Sequence, residues 1–410
     1  MNERRQLLGA VGLSSLLAGV TAVVPGEGFA ATAKPRPTGR QIPPEQQAEN
    51  VPATEVPRQH DRASLARANC DTTVIAPIRH KLCAIASESG PGKGLNAVKL
   101  LRPLVAQAHD ILRERLEAGG SAEDYLCDRA KLADSAVVGL LHIASISNGI
   151  GNRSMVAPLA AIAVGGYGRK ELAPGSDLDL LFLLPESSRA CAGGIAPATK
   201  ACISAVVANL WDLGFVLDHA ARSASECLEL ARDDATVLAG LVDRRFLWGG
   251  FGLFTSLDTD ITVLLSGPDA GRWRDAVGDA LSSTHRHAPR ELQGLEDEPD
   301  LKRGPGGLRD LQGALWANTP ASGRPMSLTQ ASLIEARRFL WLARCHLHLL
   351  AGRAKDRLSL SLQPAIARRL GLDAPHKSAA PLLLDLFRYH ARNVLAAIGV
   401  TPRSPLRPQV

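Results

Sequence analysis

The stretch AVGGYGRKELAPGSDLDLLFLLP (residues 163–185) places two glycines, a loop, two aspartates and an apolar run in close succession. The apolar segments 158–164 and 178–184 predict two short strands, because Gly or Pro bounds each of them. Asp177 and Asp179 are two residues apart, so along a strand their side chains point to the same face. Two carboxylates that close repel each other unless a cation lies between them. The pair therefore predicts a divalent-cation site in a strand that otherwise reads as buried.

The residues before the aspartates carry groups that bind phosphate. Gly165 and Gly166 allow backbone N–H groups to approach a phosphate closely. Ser176 can donate a hydrogen bond to a phosphate oxygen, and Arg169 can add a charge-assisted one. Mg²⁺, or Mn²⁺ in its place, is held by one or two carboxylates together with substrate phosphates. A lone Asp-x-Asp is common, but its combination with Gly-Gly and two strands predicts a metal-dependent phosphoryl or nucleotidyl transfer site.

Length and composition describe a globular chain that favours anionic partners. Its 410 residues exceed the size at which a single core keeps growing, so we expect two or three domains. The 45% hydrophobic and 21% charged residues exclude a disordered chain. The net charge of +6 favours ligands such as nucleotides. Aromatic residues are only 4% and do not alternate with basic runs, so we expect no nucleic-acid partner.

The cysteines and the N-terminus give opposite indications of the compartment. The seven cysteines are odd in number and include no Cys-x-x-Cys pair, which indicates small buried side chains in a reducing compartment. Residues 1–33 resemble a twin-arginine export signal, because Arg4 and Arg5 precede an apolar run and a small-residue site. An apolar helix or a misassigned start codon stays open for the same residues. No later segment has the 18 uninterrupted apolar residues of a membrane span, so we expect no stable span.

Periodicity predicts an α+β fold, in which a small mixed sheet with helices is followed by an all-helical domain. Helical spacing predicts helices over 97–117, 122–147 and 197–213, and a third strand is predicted over 215–219. The expected segments are a signal-like apolar stretch, a disordered linker, an N-terminal helical region, a nucleotidyltransferase domain, a helical domain and a tail: 1–33, 34–69, 70–150, 151–250, 251–400 and 401–410.

From about residue 223 onward nearly every segment reads as helical, and the longest late helix is predicted over 328–350. His346 and His348 lie two residues apart in that helix, so they face different sides. This spacing favours buried or surface histidines over a metal site.

Around the opening stretch, the sequence resembles the nucleotidyltransferase signature of DNA polymerase β-like enzymes. It is similar in particular to the N-terminal half of the bifunctional uridylyltransferases that modify the PII nitrogen-signalling protein. Four further segments carry this resemblance: LWDLGFVLDHAARSASECLELARDD (210–234), LVDRRFLWGG (241–250), LKRGPGGLRDLQGALWA (301–317) and FLWLARCHLHLLAGRAKDRLSLSLQPAIARRLG (339–371). The similarity runs from about residue 95 to residue 400. It implies a polymerase β-like mixed sheet and a helix over 241–250.

The resemblance also implies a role for each residue of the signature. Gly165, Gly166 and Ser176 would hold a nucleoside triphosphate, with Arg169 near its phosphates, and the two aspartates would hold Mg²⁺. The wider superfamily has a third carboxylate on the next strand, and the candidate here is Asp218 in VLDHAAR. The PII uridylyltransferases carry glycine at that position. Asp218 is therefore either a third catalytic carboxylate and metal ligand or a solvated strand end.

A second block, LKRGPGGLRD (301–310), contributes two basic candidates. The resemblance implies that Lys302 and Arg309 contact phosphate or the protein substrate. Without such a role, Gly-Pro-Gly-Gly is a turn before a helix that begins at Leu308 and has Asp310 in its first turn. Arg303 stands where the family usually has glutamate, which puts the function of this block in question.

Two functions stay open from the sequence. The first is Mg²⁺-dependent transfer of UMP from UTP to a tyrosine of a PII-like protein, with ATP as an alternative nucleotide and Asp218 as a base. The second is a catalytically impaired paralogue that binds a nucleotide or a partner. We expect the uridylyl-removing and sensor domains of the family to be absent, since they follow the matched region. We expect a cytoplasmic protein, because exported compartments generally lack nucleoside triphosphates.

Overall fold

The structure is a computed structural model. It describes residues 75–87, 93–150, 159–187, 195–268, 270–273, 275–276, 297–317, 328–372 and 379–398, all of which belong to one compact unit spanning residues 58–410. The predicted signal-like stretch, linker and tail lie outside these residues, as do Cys70 and Cys191.

Three helices precede the sheet: α1 (Ala76–Ser87), α2 (Lys93–Glu117) and α3 (Ala122–Ser147). The bounds of α3 are those the sequence predicts, since the Ser121 side chain accepts hydrogen bonds from two N–H groups of its first turn. By length and composition, α3 is the one helix among the described residues that is long and apolar enough to cross a membrane. Because 61% of its most apolar window is buried inside the fold, it also fits the core helix of a folded protein.

The sheet and its helices follow in the order β1 (Ala160–Ala163), α4 (Gly165–Gly168), β2 (Leu178–Leu184), α5 (Pro197–Asp212), β3 (Leu217–Ser223), α6 (Ala224–Asp233), α7 (Ala235–Val242), β4 (Arg245–Gly249) and α8 (Phe251–Ser266). The strand order is β3-β2-β1-β4. The β2–β3 pair is parallel and the other two pairs are antiparallel, which confirms the predicted mixed sheet.

The prediction of a helix over 241–250 was wrong. Helix α7 ends at Val242, and the next residues form β4, which pairs with β1 across an irregularity between Ala161 and Ile162. The aromatic and aliphatic run RFLWG favours a strand, and Arg245 fixes it by bonding to the Asp134 carboxylate at 2.8 and 3.0 Å. The third strand is also displaced from its predicted bounds, because Gly214 turns the chain with φ +91° and pairing with β2 starts at Leu217.

The two faces of the sheet bury different sets of side chains. One face packs on α2, α3 and α5 and on the later helices in one large hydrophobic core that includes Phe182 and Leu180. The opposite face, with Ile162, Leu181 and Leu183, packs on α6, α7 and α8. Because β1 and β2 are covered on both sides, they read as continuous apolar runs in the sequence.

The last helices are α9 (Leu308–Ala317), α10 (Leu328–Ala351), α11 (Gln363–Arg369) and α12 (Ala379–Ala397). Within the described part of residues 251–400, the only β structure is an isolated bridge between Asp300 and Arg357, which confirms the predicted helical character. The predicted start of α9 at Leu308, with Asp310 in its first turn, is also confirmed.

The cysteine prediction needs one correction. The five described cysteines are all free thiols. Cys202, Cys227 and Cys345 are buried as expected, whereas Cys127 is half-buried and Cys83 is exposed on α1. Cys83 occupies a position on the outer side of an amphipathic helix, where burial is not required.

Candidate functional site

A cleft of about 260 Å³ lies between the turn and loop that follow β1 and the helices α7, α9 and α10. It brings together eight of the nine residues that the sequence singles out: Gly165, Gly166, Arg169, Ser176, Asp177, Asp179, Lys302 and Arg309. Lys302 and Arg309 come from a segment more than a hundred residues further along the chain than the aspartates. Asp218, the ninth residue, is not part of the cleft wall.

The three carboxylates nevertheless lie at the same end of the sheet. Asp179 is the second residue of β2 and is half-buried, while Asp177 is exposed one residue before the strand begins. Asp218 is exposed on β3 and stands directly beside Asp179 in the parallel register. Gly165 has φ +55°, and a Cβ there would come within 3.1 Å of Asp179 Oδ2. A side chain at Gly165 would therefore be strained and would crowd the carboxylate.

The electrostatics of the cleft reflect this concentration of negative charge. Burial, together with the charges of Asp177 and Asp218, raises the pKa of Asp179 to about 7. Lys302 and Arg169 oppose the shift without cancelling it. A bound cation would favour the ionised carboxylate and so lower this pKa.

The donor set fits a hard divalent cation that shares its coordination with a substrate. Carboxylate oxygens from Asp177 and Asp179 are ligands that Mg²⁺ and Mn²⁺ prefer. Among the described residues, no group of three or more His, Cys, Asp or Glu side chains is placed to hold a metal by itself. The cation would therefore need oxygens from phosphate or water, as is usual for Mg²⁺ in phosphoryl-transfer sites.

Because protons compete with the cation for Asp179, we expect cation binding to depend on pH. Because the cation must displace a proton from this carboxyl below about pH 7, the dissociation constant for Mn²⁺ should rise about tenfold between pH 8 and pH 6. Electron paramagnetic resonance of free Mn²⁺ measures this constant. The variant Asp179→Asn should bind Mn²⁺ weakly with no such slope. A wild-type constant that changes less than twofold over this range would contradict the prediction.

Phosphate-binding groups lie on both walls. The turn Gly165–Gly168 begins directly after β1, and its first internal hydrogen bond runs from Gly168 N–H to Val164 O, so the preceding N–H groups are available to an anion. Lys302 and Arg309 line the opposite wall, and within the described residues their side chains make no hydrogen bond or ion pair. Burial lowers the pKa of both groups, which an incoming polyphosphate would reverse.

Arg169 is less available than the resemblance implies. Its Nε donates to Glu171 Oε2 at 2.6 Å, and its Nη1 donates to the carboxylate of Asp243. Its Nη2 lies 3.9 Å from where a Cβ of Gly166 would be, which leaves one edge of the guanidinium toward the glycine turn. Most of the Arg169 guanidinium is therefore bound to carboxylates of the cleft wall. One N–H edge remains that could donate to a phosphate.

Several residues at the cleft were missed by sequence reasoning, including Glu171 and Arg337, which line it. Buried Glu171 also accepts hydrogen bonds from Arg337 of α10, at 2.9 and 3.3 Å, and Arg337 in turn binds Glu123 of α3 at 2.9 Å. This network ties three distant parts of the chain together at the cleft. The sequence contains no local signal for it, because the partners Glu171 and Arg337 are 166 residues apart.

The cleft lining also includes apolar side chains. Among them are Leu308, Leu311 and Leu315 of α9, Trp341 of α10 and Ala239 of α7. Arg344 is part of the same lining, and its guanidinium lies 5.3 Å from the centre of the Trp341 ring. The cleft thus combines anion-binding groups with apolar ones, which suits a ligand that has both charged and apolar parts.

Comparison with known proteins identifies the family. A family model described as GlnD PII-uridylyltransferase matches residues 280–323 and 326–399, which include Lys302, Arg309 and the helices on their side of the cleft. A bifunctional uridylyltransferase/uridylyl-removing enzyme of Azospirillum brasilense is 33% identical over 309 residues. The chain belongs to this uridylyltransferase/uridylyl-removing family.

The coverage of the family members is partial. The Azospirillum enzyme is covered over 31% of its length by 70% of this chain. Enzymes of the same description from Rhodospirillum rubrum and Novosphingobium aromaticivorans are 37% and 32% identical over 234 and 338 residues. These alignments take in 54% and 77% of this chain and 24% and 35% of the relatives. The chain therefore spans about a quarter to a third of the length of these uridylyltransferase/uridylyl-removing enzymes.

Proposed function

We propose that this chain is a divalent-cation-dependent nucleotidyltransferase that moves UMP from UTP onto a hydroxyl of a PII-like protein. The observation that carries the proposal is the cleft itself, where the Gly165–Gly166 turn and the two aspartates face Lys302 and Arg309. Membership of the uridylyltransferase family supports uridylyl as the transferred group. The description of the family model supports a PII protein as the acceptor.

The proposed reaction assigns a task to each wall. The glycine turn, Ser176 and the basic pair would hold the triphosphate, and the aspartates would hold Mg²⁺ or Mn²⁺. The cation would supply charge stabilisation of the reacting phosphoryl oxygens. The acceptor oxygen forms a bond to the α-phosphorus of UTP, the bond from that phosphorus to pyrophosphate breaks, and pyrophosphate leaves.

Asp218 is proposed to accept the proton of the attacking hydroxyl. It lies beside Asp179 on the neighbouring strand, and Asp179 lines the cleft. It is exposed and has no hydrogen-bond partner among the described side chains, so an acceptor group from outside can approach it. The other interpretation, a solvated strand end, predicts that Asp218→Asn leaves the turnover rate unchanged.

The test is transfer of label from [α-³²P]UTP to a purified PII-like protein in the presence of Mg²⁺. We expect a labelled acceptor and released pyrophosphate with the full chain, and neither with Asp177→Asn/Asp179→Asn. Parallel assays with [α-³²P]ATP determine the nucleotide preference. Peptide mapping of the labelled acceptor identifies whether a tyrosine carries the nucleotide.

The alternative function gives a different result in the same experiment. A binding module without catalysis would show a UTP- and Mg²⁺-dependent increase in melting temperature with no transfer to any acceptor. Arg303, which replaces the glutamate expected from the resemblance, is exposed beside the cleft and is the sequence feature that favours this alternative. The absence of both transfer and nucleotide-dependent stabilisation would exclude both functions.

We further propose that the protein acts in the cytoplasm, where UTP is present. The signal-like residues 1–33 lie outside the described structure, so this proposal rests on the nucleotide requirement and on the five described thiols, all of which are free. Mass spectrometry of the mature N-terminus tests it. Cleavage near Ala33 would contradict a cytoplasmic location.

A further inference from the structure

We infer that His348 is a positioning residue that holds the backbone of the aspartate loop, Pro174–Asp177, in the conformation required for cation binding. This inference rests on the proposed function, because it concerns the metal and nucleotide site of the same cleft. Nothing in the family comparison assigns a role to this histidine. It lies on α10, in the helical region, rather than in the nucleotidyltransferase signature.

The contact between the two regions is direct. Gly175 N–H donates a hydrogen bond to His348 Nδ1 at 3.0 Å, across 173 residues of sequence. His348 is fully buried, with 1% of its surface exposed. Its other nitrogen, Nε2, lies 3.3 Å from Asp356 Oδ1, which also accepts a 2.8 Å hydrogen bond from Arg344.

These partners fix the protonation state of the ring. An imidazole that accepts at Nδ1 must carry its proton on Nε2, where Asp356 is the acceptor. Burial lowers the pKa of His348, which favours the neutral ring despite the nearby carboxylate. The ring therefore acts as a rigid connector, with one end accepting from the loop and the other donating to the Asp356–Arg344 pair.

A second helix holds the peptide group between Ser176 and Asp177. Both terminal nitrogens of Arg129, on α3, lie 3.3 and 3.4 Å from Ser176 O. Arg129 is 5% exposed, so its guanidinium is committed to the interior of the fold. The peptide groups at Gly175 and Ser176 are thus held from two sides, immediately before the first aspartate.

The tight fit of the loop explains why a hydrogen bond here positions a side chain. A Cβ added to Gly175 would lie 2.5 Å from the backbone nitrogen of Ala354, so the loop lies directly against the chain after α10. With its peptide groups fixed on both sides, the loop leaves little freedom in the direction of Asp177. Loss of one contact should allow the carboxylate to move, and displacements of about 1 Å in such sites reduce activity about 100-fold.

Two isosteric substitutions separate the contact from the fold. In His348→Asn, the amide oxygen takes the place of Nδ1 and retains the bond to Gly175. In His348→Gln, the amide nitrogen takes the place of Nε2. This variant retains the bond to Asp356 but loses the hydrogen bond from Gly175 N–H of the loop. Both variants remove an aromatic ring from the same buried position, so their free energies of unfolding should be similar.

The measured quantities are the dissociation constant of Mn²⁺ for the full chain and hydrogen exchange of the loop amides. We expect His348→Gln to raise the constant 10- to 100-fold and His348→Asn to raise it less than about threefold. Exchange at Gly175 should be faster in the Gln variant alone. The control is His346, a buried neighbour on the same helix whose Nδ1 has no hydrogen-bond partner in the described structure. Substitution of His346 by Asn and by Gln should change the Mn²⁺ dissociation constant equally.

The outcomes distinguish this inference from the proposed function. Equal Mn²⁺ constants in the Asn and Gln variants at position 348 would overturn the positioning role and leave the transferase proposal intact. A wild-type chain that binds Mn²⁺ and UTP without transferring label would overturn the transferase proposal and leave the comparison of the two variants valid. A wild-type chain that binds no Mn²⁺ would overturn both.

Discussion

Replacement of Asp179 by asparagine is expected to abolish nucleotidyl transfer and, in the same variant, to stabilise the fold. Transfer should fall about 10³-fold or more, because a cation ligand contributes several kcal/mol of transition-state stabilisation. Stability should rise because the carboxylate is half-buried beside Asp177 and Asp218 with little compensating positive charge. Asparagine has nearly the same shape and removes the repulsion.

The sign of the pH dependence follows from the raised pKa of Asp179. Its pKa is about 7 in the fold against 3.8 in the reference state, so ionisation costs stability as the pH rises between these values. At about 1.4 kcal/mol per pKa unit, and after a reduction for partial exposure, we expect a gain of about 2 kcal/mol at pH 8 without divalent cations. The gain in the free energy of unfolding of Asp179→Asn over wild type should be smaller at pH 5. Urea unfolding at the two pH values measures it.

The matched control is Asp177→Asn. It should also lose transfer, but Asp177 is exposed and should add less stability. Saturating Mg²⁺ with UTP should narrow the difference in stability between wild type and Asp179→Asn, since the ligands bind the folded wild type alone. If Asp179→Asn is less stable than wild type at pH 8, the ionised Asp179 carboxylate is already stabilised by neighbouring groups of the protein. That result would contradict the prediction that it needs a cation.

The sequence predicted those parts of the fold whose signals are local. Helix α3 has a serine cap at its start and an uninterrupted helical period, and β2 is an apolar run bounded by a polar loop and a proline. The aspartates could be assigned to the cleft because they belong to the same few residues as the glycine turn. By contrast, β4 has only five residues, and it follows α7 after a two-residue break, so the helical period of α7 obscured it.

The rear wall of the cleft could not be predicted, because it consists of contacts between distant segments. Arg129 meets Ser176 across 47 residues, and His348 meets Gly175 across 173. Spacing in the sequence predicted that His346 and His348 face different sides of the helix, yet it offered no way to see that one of them contacts the aspartate loop. The packing of α3 and α10 around the loop determines these contacts, and that packing depends on the whole hydrophobic core.

Glutamine in place of Glu171 is expected to be among the most destabilising substitutions around the cleft. Glu171 is 7% exposed and accepts hydrogen bonds from both Arg169 and Arg337, so its carboxylate offsets charge on two guanidinium groups. Each guanidinium also has a second carboxylate partner, Asp243 for Arg169 and Glu123 for Arg337. Glutamine preserves the shape but leaves both cations with less opposing charge, and its NH₂ group faces a donor. Removal of one partner from a buried pair costs 3–5 kcal/mol, but the arginine side chains are 26% and 30% exposed, so we expect about 2–3 kcal/mol.

Two comparisons make this expectation specific to the buried network. Arg113→Gln removes a partner from the Asp110–Arg113 pair, whose side chains are 57% and 47% exposed, and should cost less than about 1 kcal/mol. The double variant Glu171→Gln/Arg337→Gln removes one charge of each sign, and it should be more stable than the sum of its single variants predicts. Urea unfolding of the wild type, the two single variants and the double variant gives the four free energies of unfolding that this comparison needs. Strict additivity, or a loss below about 0.5 kcal/mol for Glu171→Gln, would mean that the link between the signature loop and α10 depends on packing alone.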